Sequence, residues 1–301
     1  MATEILQARF SPAIVKDVAV QARPCQANGV PKLRHPADIE TALFDETTGL
    51  AARIGRDIGA YTVALLSVTG SGPNEVLDFQ GSGTLVSVHD TLYVLTAAHV
   101  WEKFENAAGI GLTLDEENED HRFFIDVRQI VPLGPKESSS WGPQGLDLLF
   151  LKIPPSPAAE LRDVKKVYPL TVEIPEPPQV NSLEVWVLLG SPRDQNKITP
   201  KHASLTINGF FAKIRSEYTL GNHDYFELEM NSTFPGIPKR FYGVSGGGFW
   251  SVVMYWSEGG GVQWFLTLVG MACWQIPVSS EPQIIRCLGA KSIRTFVPQL
   301  L

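Results

Sequence analysis

The chain has 301 residues, 44% of them hydrophobic and 19% charged, which suffices for two modest cores or one large one and excludes a disordered solvated polymer. A formal net charge of -7, with no sustained run of Lys or Arg, argues against nucleic acid as the main partner. No apolar run reaches the roughly 20 residues a membrane helix requires.

Residues 1–57 read as an N-terminal arm. Pro31 and Pro36 interrupt it, no alternating pattern persists, and 38–58 predicts one helix with Asp38 as its N-cap. No basic segment leads into an apolar stretch near Met1, so a cytoplasmic protein is expected, without a secretory leader. Its three cysteines, Cys25, Cys273 and Cys287, lack metal-type spacing and are expected as reduced thiols, although a Cys273–Cys287 bridge is compatible with the sequence.

From Tyr61 the texture changes to short runs rich in Val, Leu, Phe and Tyr, punctuated by Gly, Pro, Asn and Asp. Strands are predicted at 61–69, 79–88, 91–98, 109–114, 122–131 and 146–154. The acidic stretch Asp115–Asp120 lacks the order of a calcium loop and reads as solvated, so no metal site is expected. A Pro-rich link runs from Pro154 to Pro178. A second group of strands is predicted at 183–190, 203–214, 225–230, 247–256 and 262–272, with a short one near 283–286. Helical periodicity recurs only around 99–104 and 288–297. Two groups of strands without intervening helices imply an all-β chain of two antiparallel barrels or sandwiches.

Three segments carry candidate chemistry. In Leu95-Thr96-Ala97-Ala98-His99-Val100, a strand ends in small residues and delivers a histidine into a turn of helix. In Gly145-Leu146-Asp147-Leu148-Leu149, an aspartate heads a strongly apolar strand, where a carboxylate needs hydrogen-bond donors such as an imidazole N–H. In Gly243-Val244-Ser245-Gly246-Gly247, a serine sits in a glycine-rich turn whose N–H groups suit an oxyanion. Taken singly, each also reads as ordinary turn chemistry. The Gly-x-Ser-x-Gly pattern matches the nucleophile elbow of α/β-hydrolases as well, but that fold needs a histidine after the serine, and the last histidine here is His223.

In the order His99, Asp147, Ser245, the stretches LTAAH (95–99), DLLFLKI (147–153), GVSGG (243–247) and TLVGMACW (267–274) resemble the chymotrypsin/trypsin-like serine peptidases, in particular bacterial trypsin-like peptidase domains. The resemblance spans about residues 58–290. It implies two antiparallel six-stranded β-barrels, one over 58–165 carrying His99 and Asp147 and one over 166–301 carrying Ser245, flanked by the partly helical arm and a short C-terminal helix. It implies serine endopeptidase activity on a polypeptide substrate without a cofactor. Ser245 would be nucleophile, His99 general base and Asp147 its orienting partner, with Gly243 and Ser245 forming the oxyanion hole. Cys273, Trp274 and Gln275 would pair with the substrate backbone, and Lys239 and Tyr242 would lie in the pocket wall, where Lys239 or Arg240 would favour an acidic side chain if turned inward.

Three positions depart from the family pattern. Val244 replaces the aspartate that pairs with a newly cut N-terminus, so control is expected from the arm or a regulatory protein partner. Cys273 replaces a serine that supports the aspartate, and Gln275 replaces a glycine at the pocket mouth. The competing expectation is a catalytically silent relative that binds peptides or proteins.

Overall fold

The computed structural model describes residues 21–22, 35–45, 47–113, 123–135, 145–177, 181–199, 202–230, 237–257, 260–277 and 282–300. Cys25 and the acidic stretch 115–120 lie outside them. The chain is all-β, with one closed six-stranded barrel beside one curled open sheet.

The curled sheet is built first. It holds β2 (Thr62–Thr69), β3 (Val76–Val88), β4 (Thr91–Thr96), β5 (Gly109–Leu112), β6 (Phe123–Asp126), β7 (Val131–Leu133) and β8 (Leu149–Lys152), in the order β6-β5-β2-β3-β4-β8-β7. A two-residue strand, β9 (Tyr168–Pro169), pairs parallel to β3. The predicted strand 122–131 is divided by a 3-10 turn at Val127–Gln129, where the Asp126 side chain accepts the Arg128 N–H. This turn joins the two edges β6 and β7. The sheet must therefore curl until its edges lie one turn apart, but among the described residues no ladder closes it.

The closed barrel follows. It comprises β10 (Ser182–Gly190), β13 (Asn208–Leu220), β14 (His223–Met230), β17 (Gln283–Gly289), β16 (Val262–Ile276) and β15 (Gly248–Trp256), and the β10–β15 pairing completes the circle. Closure leaves no free edge along this ring. The predicted strand 203–214 is split, its first part forming the β12 (His202–Ser204) partner of β11 (Lys197–Thr199). Residues Gln21–Ala22 (β1) add to β10.

The helices differ from expectation in two places. The predicted helix 38–58 is two helices, α1 (Pro36–Phe44) and α2 (Leu50–Gly59): α1 ends where Asp45 turns extended, and α2 starts after Gly49, whose φ of 61° is left-handed. His35, not Asp38, caps α1. Its Nδ1 accepts the Ala37 N–H, and Asp38 reaches back to the His35 N–H. The proline-rich link contains a helix, α4 (Pro155–Val164), because Pro155 and Pro157 fall in its first turn, where their missing N–H groups have no intrahelical partner to lose. The short α3 (Ala98–Trp101) and α5 (Ala290–Arg294) occur where histidine-containing and C-terminal periodicity predict them.

One large core runs through both halves and includes Ile39, Leu43, Leu50, Ile54 and Ile58 of the arm, each at most 1% exposed. The arm helices pack on the closed barrel. Phe44 meets Phe211 edge to face at 5.7 Å, and Asp57 accepts the Trp264 indole N–H at 2.9 Å while pairing with Lys166. Among the described residues no helix is long and apolar enough to cross a membrane.

Candidate active site

His99 sits in the first turn of α3, directly after β4. Ala97 and Ala98 are fully buried and small, so the chain turns sharply off the sheet without leaving a cavity for a larger side chain to fill. Asp147 heads the segment entering β8, the strand paired with β4, so the β4–β8 ladder brings the two residues together. Its side chain is fully buried and is held by two donations from one residue. The His99 backbone N–H donates to Oδ1 at 3.0 Å, and His99 Nδ1 lies 2.6 Å from Oδ2. The first of these bonds also satisfies an otherwise unpaired N–H at the start of α3. A carboxylate only accepts, so the contact with Oδ2 keeps the ring proton on Nδ1 and leaves Nε2 as the basic nitrogen. Each bond to the charged group contributes about 1.5–3 kcal/mol, against the several kcal/mol that burying a carboxylate costs. The ring of His99 remains 21% exposed.

Ser245 occupies the turn before β15. Two glycines make this turn possible. Gly243 has φ 93°, and a Cβ there would lie 2.3 Å from Phe79; Gly246 has φ 87°, and a Cβ there would lie 2.0 Å from the Ser82 carbonyl. Both positions therefore demand glycine for backbone conformation and for space. The turn is fixed from the other half of the molecule by Ser82 on β3. The Ser82 N–H donates to the Ser245 carbonyl at 2.9 Å, and its hydroxyl donates to the Gly243 carbonyl at 2.7 Å while accepting the Ser191 N–H at 2.9 Å. These bonds hold the carbonyls on either side of the Gly243 to Ser245 span. Neither the Gly243 nor the Ser245 N–H donates to an acceptor among the described residues, which leaves both available to an incoming oxygen.

β16 joins the parts. The Ser245 hydroxyl donates to the Cys273 carbonyl at 3.1 Å, the Cys273 thiol lies 3.8 Å from the Asp147 carbonyl, and the Trp274 ring stacks on His99 with centroids 4.9 Å apart. Cys273 and Cys287 are buried free thiols, so the two do not form a bridge. Burial, with Asp147 nearby, raises the Cys273 thiol well above its ordinary value and keeps it neutral.

His99 and Asp147 are bonded directly, and β16 links them to Ser245 through Cys273 and Trp274; among the described residues no hydrogen bond joins the His99 ring to the Ser245 hydroxyl. Gln275 reaches the loop before the serine, its Oε1 accepting the Phe241 N–H at 3.1 Å. Lys239 and Tyr242 are exposed, as is Arg240, whose guanidinium lies 6.0 Å from the Tyr242 ring centroid. Among the described residues there is no His/Cys/Asp/Glu cluster able to hold a metal ion. Ser82 was not singled out from sequence, since a serine between two glycines in a strand carries no chemical signature, and its partners lie far along the chain.

Neither a family model nor a curated protein matches the sequence. Among solved structures, the chain is similar to one described by the words "Aromatic interactions drive the coupled folding and binding of the intrinsically disordered Sesbania mosaic virus VPg protein". Identity is 15% and the TM-score 0.40, over 81% of this chain and 97% of that chain.

Proposed function

We propose that the chain is a serine endopeptidase of the chymotrypsin-like type, in which the curled sheet is the first of two barrels and the closed barrel the second. The observation that carries this reading is the doubly bonded His99–Asp147 pair, linked through Cys273 to a serine whose turn presents two uncommitted N–H groups.

The reaction follows from these positions. His99 Nε2 removes the Ser245 hydroxyl proton as Oγ bonds to the substrate carbonyl carbon, and the carbonyl oxygen becomes an anion held by the N–H groups of Gly243 and Ser245. The anion collapses, the C–N bond breaks, and the imidazolium returns its proton to the departing amine. Water then attacks the acyl-serine with the same proton relay and releases the acid. Asp147 keeps the ring oriented and favours the imidazolium that forms transiently. Before the first step the Ser245 hydroxyl must leave the Cys273 carbonyl for His99, which exchanges one hydrogen bond worth about 1 kcal/mol net.

That resting hydrogen bond, with Trp274 over the His99 ring, also favours a second reading, a silent module that binds peptides without cleaving them. Digestion of a mixed peptide library separates the two. The endopeptidase reading expects internal cleavage by the wild type and a loss of about 10⁴-fold or more in both Ser245→Ala and His99→Ala. Peptide binding with no cleavage by the wild type supports the silent module.

A further inference from the structure

We infer that Gln275 and Ile285 close the space that would receive the side chain of the acyl residue, so that the chain cleaves after small residues such as glycine, alanine and serine. This rests on the endopeptidase reading. The departing amine must lie near His99 to receive its proton, and the carbonyl oxygen must lie at the Gly243 and Ser245 N–H groups. The α-carbon on the acyl side therefore falls away from His99, and its side chain points between the loop Phe241–Ser245 and β16.

That gap is filled. Gln275 pairs directly with Ile285 across the β16–β17 ladder, and directly paired residues project from the same face of a sheet. Gln283, two residues from Ile285, projects from that face as well. Gln275 spans the gap, with Oε1 accepting the Phe241 N–H at 3.1 Å and Nε2 donating to Gln283 Oε1 at 2.6 Å. Ile285 is 2% exposed beneath it, and Phe241, 3% exposed, packs edge to face on Phe210. A large substrate side chain has to break the Gln275 bridge and strand the Phe241 N–H, whereas a methyl group or a hydrogen does not. Lys239 and Arg240 are exposed to solvent.

The test uses the full chain and succinyl-Ala-Ala-Pro-X para-nitroanilides with X as Ala, Leu or Phe, normalised to the fraction of Ser245 that a fluorophosphonate labels. The expected result is a wild-type kcat/KM for Ala at least about tenfold above that for Phe. Gln275→Ala is expected to raise the Phe-to-Ala ratio of kcat/KM about tenfold. Ile285→Ala, kept as a second variant because it changes a buried position, is expected to raise Leu and Phe together. Equal wild-type use of Ala and Phe, or an Ala-to-Phe ratio unmoved in both variants, overturns the inference while labelling of Ser245 upholds the endopeptidase reading. Absence of labelling and turnover in the wild type removes both.

Discussion

Asp147 combines two tasks at one position, accepting the α3 backbone N–H and the ring N–H of the same histidine. Replacing it with Asn keeps the shape but offers an amide that can donate, which favours the proton on the other ring nitrogen and removes the base. Asp147→Asn is expected to lower kcat by about 10⁴-fold with little change in KM, measured by steady-state hydrolysis of a peptide ester. Ser82 tests the proposed oxyanion site from outside it. Ser82→Ala removes the bond to the Gly243 carbonyl and leaves the buried Ser191 N–H without its acceptor. The expected cost is about 1–3 kcal/mol of stability by urea denaturation, with kcat falling further than KM rises.

At the scale of elements, the arm helices belong to the core. α2 places Leu50, Ile54 and Ile58 on its inner face, each at most 1% exposed, and its outer face carries Arg53 and Arg56. Ile54→Ala is expected to cost about 2–5 kcal/mol, read from the shift in the denaturant midpoint, through lost burial and the cavity left behind. Strand runs were legible wherever apolar side chains alternate with turn residues, as in 183–190 and 247–256. The helix in 155–164 was not, because three prolines within four residues read as a linker although two of them occupy the positions where a helix tolerates them. The break between α1 and α2 was missed for the opposite reason, since a glycine inside an apolar period reads as a tolerated lapse, whereas Asp45 turns extended after α1 and Gly49 takes a left-handed φ before α2. The His99–Asp147 pairing was legible because a carboxylate heading an apolar strand needs a donor, and the Ser245 turn because glycines flank it. Ser82 was not legible because its bond to Gly243 joins residues 161 apart, and the reach of Gln275 to Phe241 likewise exists only once the strands are paired.

Across the whole molecule, the two halves share one apolar core and are tied by a few polar contacts. Ser82 grips the serine turn, Tyr225 donates to the Gly145 carbonyl at 3.3 Å two residues before Asp147, and Tyr93 donates to the Leu300 carbonyl at 3.0 Å. Burial pushes the Tyr225 phenol up to about 12 and raises the Cys273 and Cys287 thiols. The folded state thus holds these protons more tightly than the unfolded chain. The stability they contribute is complete below about pH 8.5, where the unfolded groups also keep their protons, and is lost as pH rises through the thiol range and on towards 12. Urea midpoints are expected to fall steadily between about pH 9 and 11, and Tyr225→Phe is expected to flatten the upper part of that decline. A midpoint unchanged over this range contradicts the assignment of these groups to the core.

The proposed catalytic unit is Ser245 as nucleophile, activated by His99 and Asp147. Intact-mass and peptide mass spectrometry after treatment with a fluorophosphonate probe it most directly. The account predicts one adduct per chain, located on Ser245, absent in Ser245→Ala and slowed by orders of magnitude in His99→Ala. An adduct on another residue, or a wild-type chain that stays unmodified under conditions where it remains folded, contradicts it.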